Sequence, residues 1–315
     1  MLQNYWPWIG FHLFLFAALA LDLGVFHKKA HEIKFKEALS WSAVWFSLAL
    51  LFNGGIWFFR GKDAAITFLT GYVIEWSLSV DNLFVFLTIF SAFAVPSKLQ
   101  HRVLFWGILG ALVMRAIFIF GGIALLKQFH WIVYIFGAFL LVTGIKLAFG
   151  GDAGETDPRE RWIVKFATRW FRFSDRYDGG KFITIQNGRR LGTPLLMVLI
   201  IVEVTDLVFA ADSIPAILAI SSDPFIVYTS NIFAILGLRS LYFALAGLMS
   251  LFAYLRYGLA TVLSFVGIKL CLTDIYKISP GWSLIVILIC LGAAILYSVI
   301  KSRKDPAAAV NSPRS

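Results

Sequence analysis

Charge and cysteine are the scarcest features of this chain. Asp, Glu, Lys and Arg together make up 15% of its 315 residues, and two residues are cysteine. So little charge excludes an ordinary soluble domain. Cys271 and Cys290 both fall inside apolar runs, which supports neither a disulfide framework nor a zinc site. The chain has no glycine-rich nucleotide-binding motif and no nucleophile constellation, so it does not read as an enzyme. In their place stands apolar sequence: 59% hydrophobic and 17% aromatic, with a mean hydropathy of +0.80. The fold expected is an all-α polytopic membrane protein.

A bilayer core about 30 Å thick takes roughly 20 apolar residues per helix. Nine stretches qualify: 8–26, 41–59, 66–95, 103–126, 131–149, 195–220, 225–251, 254–272 and 282–300. The first has no basic leader and no small-residue cleavage site before His27-Lys28-Lys29, so it reads as a retained helix and not a signal peptide. With the N-terminus outside and the C-terminus in the cytoplasm, most Lys and Arg fall in cytoplasmic loops, the positive-inside signal. The net charge of +10 therefore reports topology, and no nucleic-acid partner is expected. Trp8, Trp41, Trp131 and Trp282 sit at span ends, as interfacial belts require. Asp22 reads as snorkelling or pairing with Lys28 or Lys29. Asn53 with Gly54-Gly55 reads as packing.

The chain divides into two N-terminal helices (1–62), a three-helix unit (63–150), a basic amphipathic cytoplasmic loop (151–193), a second three-helix unit (194–274), and a last helix with a disordered tail (275–315). The two units match at Asp81-Asn82 with Asp212-Ser213, at Arg115 with Arg239, and at Val142-Thr-Gly-Ile-Lys146-Leu with Val266-Gly-Ile-Lys269-Leu. An odd number of spans per unit makes this three-plus-three repeat inverted. Inverted repeats hold substrate near the midplane, on discontinuous helices at their interface. In the loop, Trp162, Phe166, Trp170 and Phe173 recur at helical spacing with Arg161, Lys165, Arg169, Arg172 and Arg176 between them, a pattern suited to anionic lipid at the cytoplasmic face. Lys181-Phe-Ile-Thr-Ile-Gln followed by Asn187-Gly188 signals a short hairpin. Lys146 and Lys269, near span ends, read as snorkelling.

Two runs carry the chemistry. Glu203-Val-Thr-Asp206-Leu-Val-Phe-Ala-Ala-Asp212-Ser213-Ile-Pro215 sets three carboxylates in an apolar span, and Glu75-Trp-Ser-Leu-Ser-Val-Asp81-Asn82 repeats its acid-x5-Asp-polar spacing. A charge at membrane depth costs at least about 2.5 kcal/mol, so such residues usually mark a polar pathway or site. Glu75 and Asn82, like Asp206 and Ser213, are seven apart and share a helix face. Asp81 and Asp212 lie about 100° round from them, and Pro215 is expected to open its helix and free carbonyls. The ligand set is all hard oxygen, with Thr205 as a further hydroxyl, and suits Mg, Ca or Mn. Exchange of metal for protons is open chemically. Arg115 and Arg239, near the centres of their spans, are either countercharges or gates that occupy the acids until substrate arrives. Turned round, the same arginines would bind an oxyanion.

The runs 68–82, 203–216 and Thr229-Ser-Asn231-Ile-Phe-Ala-Ile-Leu-Gly-Leu-Arg239 resemble the TerC family of integral membrane proteins, over about residues 21–278. The resemblance implies a bacterial inner-membrane protein exporting Mn2+ from the cytoplasm. It carries a metal role to Glu75, Asp81, Glu203, Asp206 and Asp212, with Asn82 and Ser213 as helpers. The reading is a secondary transporter with no resident cofactor and a divalent ion as cargo. The family is named for tellurium resistance, so an oxyanion transporter stays open, as does a membrane scaffold or insertion partner whose acids are structural. Single Asp81→Asn and Asp212→Asn changes separate these. Transport expects membrane levels near those of the parent with activity lost; membranes emptied of the protein would favour the scaffold.

Overall fold

Within a bilayer every backbone N–H and C=O must find a partner in the chain itself, which leaves helices as the way for apolar runs of this length to cross. The computed structural model describes residues 5–24, 35–129, 131–149, 164–165, 168–169, 171–186, 188–246, 255–276 and 278–304, without the side chains of 21–24, 81, 84, 212, 246, 255–256 and 302–304. Among the described residues there are nine long helices: α1 Trp6–Gly24, α2 Phe35–Arg60, α3 Lys62–Ala92, α4 Ser97–Gln128, α5 Ile132–Phe149, α6 Pro194–Leu218, α7 Pro224–Ala246, α8 Leu255–Cys271 and α9 Pro280–Lys304. Seven are long and apolar enough to cross a membrane; α1 and α8 are shorter apolar helices. The expected 225–251 span is helical to Ala246, and 247–254 lie outside the described residues. The tail after residue 304 lies outside them as well.

Three helices begin at proline, α6 at Pro194, α7 at Pro224 and α9 at Pro280. The missing N–H costs nothing there, because a first-turn N–H has no helical acceptor. Asp223 caps α7, its Oδ1 accepting from the backbone N–H of Phe225 at 2.9 Å and of Ile226 at 3.3 Å. Pro215 does not open its helix: α6 runs through it to Leu218. It lies in the last turn, where little helix follows the bond lost to Ala211. α6 is therefore continuous, against the expectation of a break at Pro215, and α3, which has no matching proline, is continuous as well.

The fold centres on α7, whose span is wholly buried inside the protein. It packs against α2, α3 and α4. The pairings come in exchanged sets. Swapping α3 with α6, α4 with α7 and α5 with α8 turns the α3·α7 contact into α6·α4, and all of these are present. Helices α5 and α8 make the most extensive contact of all, through glycine. A Cβ at Gly137 would stand 3.0 Å from the Gly267 carbonyl, and one at Gly144 would stand 2.8 Å from the Ala260 carbonyl. As position climbs on α5 it falls on α8, so the two helices run antiparallel. In the register that aligns Gly144 with Gly267, Gly137 aligns with Ala260, so each contact is the exchange partner of the other. That is the packing two units related by a two-fold axis in the membrane plane would have.

At one end of the bundle the chain forms a hairpin, β1 Ile183–Gln186 paired antiparallel with β2 Arg189–Gly192 across the expected turn. Most of the expected amphipathic helix, including Trp162, Phe166 and Trp170, lies outside the described residues. Its last positions are not helical: Ser174 N–H bonds the Gly192 carbonyl and Gly192 N–H bonds the Arg172 carbonyl, both at 2.8 Å, so strand pairing captures Phe173. Asp178 accepts from Thr184 Oγ1 at 2.8 Å and Lys181 Nζ at 3.1 Å. These bonds, Thr184's first, hold its carboxyl below the usual range. The tie is therefore complete above that range and is lost as pH falls through the lowered value. Tyr177 donates to the Phe93 carbonyl at 2.8 Å, fastening this segment to the α3–α4 turn.

The glycine contact predicts that Gly267→Leu forces α5 and α8 apart and destabilises the protein by about 1–3 kcal/mol. Gly54→Leu, where an added Cβ meets nothing within 4 Å, is the control. Thermal unfolding in detergent should show a lower midpoint for the first variant only.

Candidate functional site

Arg115 sits near the middle of α4 and is 0% exposed. A guanidinium this deep is tolerated only where anions and hydrogen-bond acceptors replace its water. Two carboxylates do so. Nη1 donates to Glu75 Oε2 of α3 at 2.5 Å, while Nη2 and Nε donate to Oδ1 and Oδ2 of Asp206 of α6 at 3.2 and 3.4 Å. The Asp206 contact is a two-pronged fork, the geometry that gives arginine its specificity for carboxylates. Glu75 is fully buried and Asp206 nearly so. The two acids that the sequence repeat equates thus meet on one arginine.

The set is not electrically or sterically complete. Glu75 Oε1, Glu203 Oε2 and Ser213 Oγ are buried with no hydrogen-bond partner among the described residues. Glu203, one turn before Asp206, occupies space that exists only because residue 110 of α4 is glycine; a Cβ there would overlap its carboxylate. Asn82 and Ser213 are buried beside their acids in sequence, at 3% exposure each. Thr205 donates its hydroxyl to the Ile201 carbonyl at 2.6 Å, which leaves the oxygen lone pairs available. The backbones of Asp81 and Asp212 lie in α3 and α6, and their side chains lie outside the described residues. Among the described residues no three Asp, Glu, His or Cys side chains gather closely enough to hold a metal. Arg115 stands between the acids instead.

Arg239 of α7 is buried and lines, with Asp206, a cavity of about 20 Å3 walled by Phe86, Ala111, Val202 and Ile235. That is room for one water-sized body. Lys146 is exposed, but Lys269 is not a snorkelling residue: it is buried, with Nζ donating to Ser283 Oγ of α9 at 2.9 Å. At the end of the bundle away from the hairpin, an aromatic groove of about 900 Å3 opens between α1, α2 and the start of α7, with the Arg60–Asp223 pair at its mouth. Phe52 of its wall touches Phe68, which stacks on Tyr72, one turn from Glu75. A chain of aromatic rings thus runs from the groove wall toward the acids.

Sequence reasoning passed over Gly110 and Ser79. Gly107 and Gly110 share the α4 face turned to Val202 and Glu203 of α6, and such small-residue spacing signals close helix approach. Ser79, one turn after Glu75, is likewise buried with an unpartnered hydroxyl. A double-mutant cycle checks the Gly110–Glu203 fit. Gly110→Ala alone should cost about 1–3 kcal/mol of stability from overpacking. Most of it should return in Gly110→Ala/Glu203→Ala, where the freed volume takes the methyl group.

The family described as "Integral membrane protein TerC family" matches residues 60–306. A Myxococcus xanthus protein named "Uncharacterized membrane protein STKORF319" is 55% identical over 307 residues, 98% of this chain and 96% of that one. The Escherichia coli K12 protein named "Putative membrane-bound redox modulator Alx" is 48% identical over 286 residues, 88% of this chain and 89% of that one. A Rickettsia bellii protein named "Uncharacterized membrane protein" is 42% identical over 294 residues, 93% of this chain and 97% of that one. No solved structure matches the chain.

Proposed function

We infer, from the premise that this chain belongs to the TerC family of integral membrane proteins, that it is a secondary transporter that exports a divalent cation, Mn2+ foremost, through the acids of α3 and α6. The observation that carries this reading is Arg115, wholly buried and bound to both Glu75 and Asp206, with carboxylate oxygens of Glu75 and Glu203 left over. Unpaired buried carboxylate oxygens are costly, and a purely structural network would be expected to satisfy them. A cation-binding site that holds a guanidinium while empty would not.

In this reading the ion competes with Arg115. Glu75, Glu203 and Asp206, joined by Asp81, Asp212, Asn82 and Ser213, offer it hard oxygens, the donor class of Mn, Mg and Ca. The guanidinium gives up its contacts as the ion takes them, so the charge that leaves the acids is replaced in the same step. Arg239, across the small cavity from Asp206, is the second countercharge. Protons returning to acids vacated by the ion would give metal–proton exchange. The pairing of α5 with α8 supports an inverted repeat, in which one unit rocks against the other about a site near the midplane. The basic hairpin end, with Arg172, Arg176, Arg189 and Arg190 exposed, belongs in this reading at the cytoplasmic face of the inner membrane, against anionic lipid.

An oxyanion would have to displace two carboxylates already bound to Arg115, so nothing in the site favours that alternative. The name of the Escherichia coli relative points to a redox role; in this chain Cys271 and Cys290 are both free thiols, and Cys271 packs against Gly137.

Mn2+ flux into proteoliposomes that hold a metal-sensitive dye, under an imposed pH gradient, tests the reading. The parent should show flux. Asp206→Asn and Asp212→Ala should each lower it by about ten-fold or more at equal protein content. Parent liposomes without flux, with or without the gradient, would reject the reading.

A further inference from the structure

We propose that Asn231 of α7 is a direct ligand of the transported cation, so that the site draws on a third helix and includes a neutral oxygen donor. The proposal rests on the transport reading above and deepens it.

Asn231 is 0% exposed, and both its Oδ1 and its Nδ2 lack a hydrogen-bond partner among the described residues. A buried carboxamide with neither end satisfied is costly, about 1–3 kcal/mol for each group on mutational scales. Its neighbours on α7 show the ordinary solution. Thr229 Oγ1 donates to the Phe225 carbonyl at 2.7 Å, Ser230 Oγ to the Val227 carbonyl at 3.1 Å, and Ser240 Oγ to the Gly237 carbonyl at 2.9 Å. Asn231, the residue after Ser230, has no such bond among the described residues.

Its position gives the reason. Ser230, the preceding residue, meets the place where Gly71 of α3 lacks a side chain, and Ile217 of α6 meets the same place. Gly71 is one turn before Glu75 on α3, and Ile217 is one turn after Ser213 on α6. Ser230 and Ile217 thus meet at Gly71, one turn from Glu75 and from Ser213, and Asn231 is the next residue on α7. On α7 itself, Asn231, Ile235 and Arg239 form one stripe at four-residue spacing, and the last two line the small cavity with Asp206. Asn231 continues that stripe by one turn. Beside it in the set of unsatisfied atoms are Glu75 Oε1, Ser79 Oγ, Glu203 Oε2 and Ser213 Oγ. Three helices, α3, α6 and α7, thus carry buried polar atoms without a partner among the described residues.

A carboxamide oxygen adds coordination without adding charge. Five carboxylates already exceed what a divalent ion neutralises, and affinity rises with the charge count of the ligands. A neutral donor fills the coordination shell while keeping the ion releasable, which a transporter needs. The amide N–H2 is left free to hold a carboxylate oxygen in place beside the ion.

Full-length protein in detergent, titrated with Mn2+ alone, tests this with Asn231→Leu, which keeps the volume and removes both polar atoms. The expected result is a dissociation constant raised about ten-fold or more, with a metal-free unfolding midpoint at or above the parent's, because the unpaired amide is gone. A dissociation constant within two-fold of the parent's overturns the proposal whatever the midpoint does, and leaves the transport reading standing. A parent that binds no Mn2+ overturns both. If the leucine variant does not fold, Asn231→Ala gives the same readout, and Asn231→Asp, which keeps an oxygen donor, should restore Mn2+ binding.

Discussion

Placing one arginine out of reach of water governs much of this architecture. Arg115 has no solvent to turn to, so α3 and α6 must bring Glu75 and Asp206 to it. Removing either acid would leave a buried charge short of a partner, which costs several kcal/mol. The three helices are therefore held at fixed mutual height by electrostatics in a region where apolar packing alone gives little directional preference, since lipid is as apolar as leucine. The wholly buried α7 fills the remaining side and brings Arg239 to the opposite flank of Asp206.

The peripheral pair, α5 with α8, is held in a different way. There the backbones themselves touch at Gly137, Gly144, Gly267 and Ala260, with no charge involved. One contact in the molecule is thus ionic, while the other is steric. The hairpin adds a further restraint: β2 passes through Thr193 directly into α6, while Tyr177 fastens the same segment to the turn between α3 and α4.

The membrane class and the polar helices were legible because charge at membrane depth is too costly to be incidental. Glu75, Asp206 and Arg115 each stood out singly against apolar surroundings, and their meeting follows from that same cost. The match of Gly144 with Gly267 was visible as a four-residue identity, although its role as a helix contact was not. Other features were hidden. Pro215 signalled a break, but its effect depends on how much helix follows, and that is set by where Ala219–Asp223 turns. Phe173 kept the helical period yet joined a strand, because pairing with Gly192 is a long-range choice that local spacing does not encode. Lys269 looked like any lysine near a span end until Ser283 of a neighbouring helix supplied its acceptor. Gly110 signals close helix approach only through its spacing from Gly107; its importance lies in the carboxylate that fills its place.

The sequence separations within the central ion cluster bear on how the protein is made. Glu75 emerges from the ribosome 40 residues ahead of Arg115, and Asp206 follows 91 residues behind it. When α3 is handed to the bilayer, its acid has no cation yet, and when α4 follows, its arginine finds one acid of two. The first half of the protein thus enters the membrane as an electrostatically unfinished object, completed only when α6 arrives after the hairpin has been synthesised.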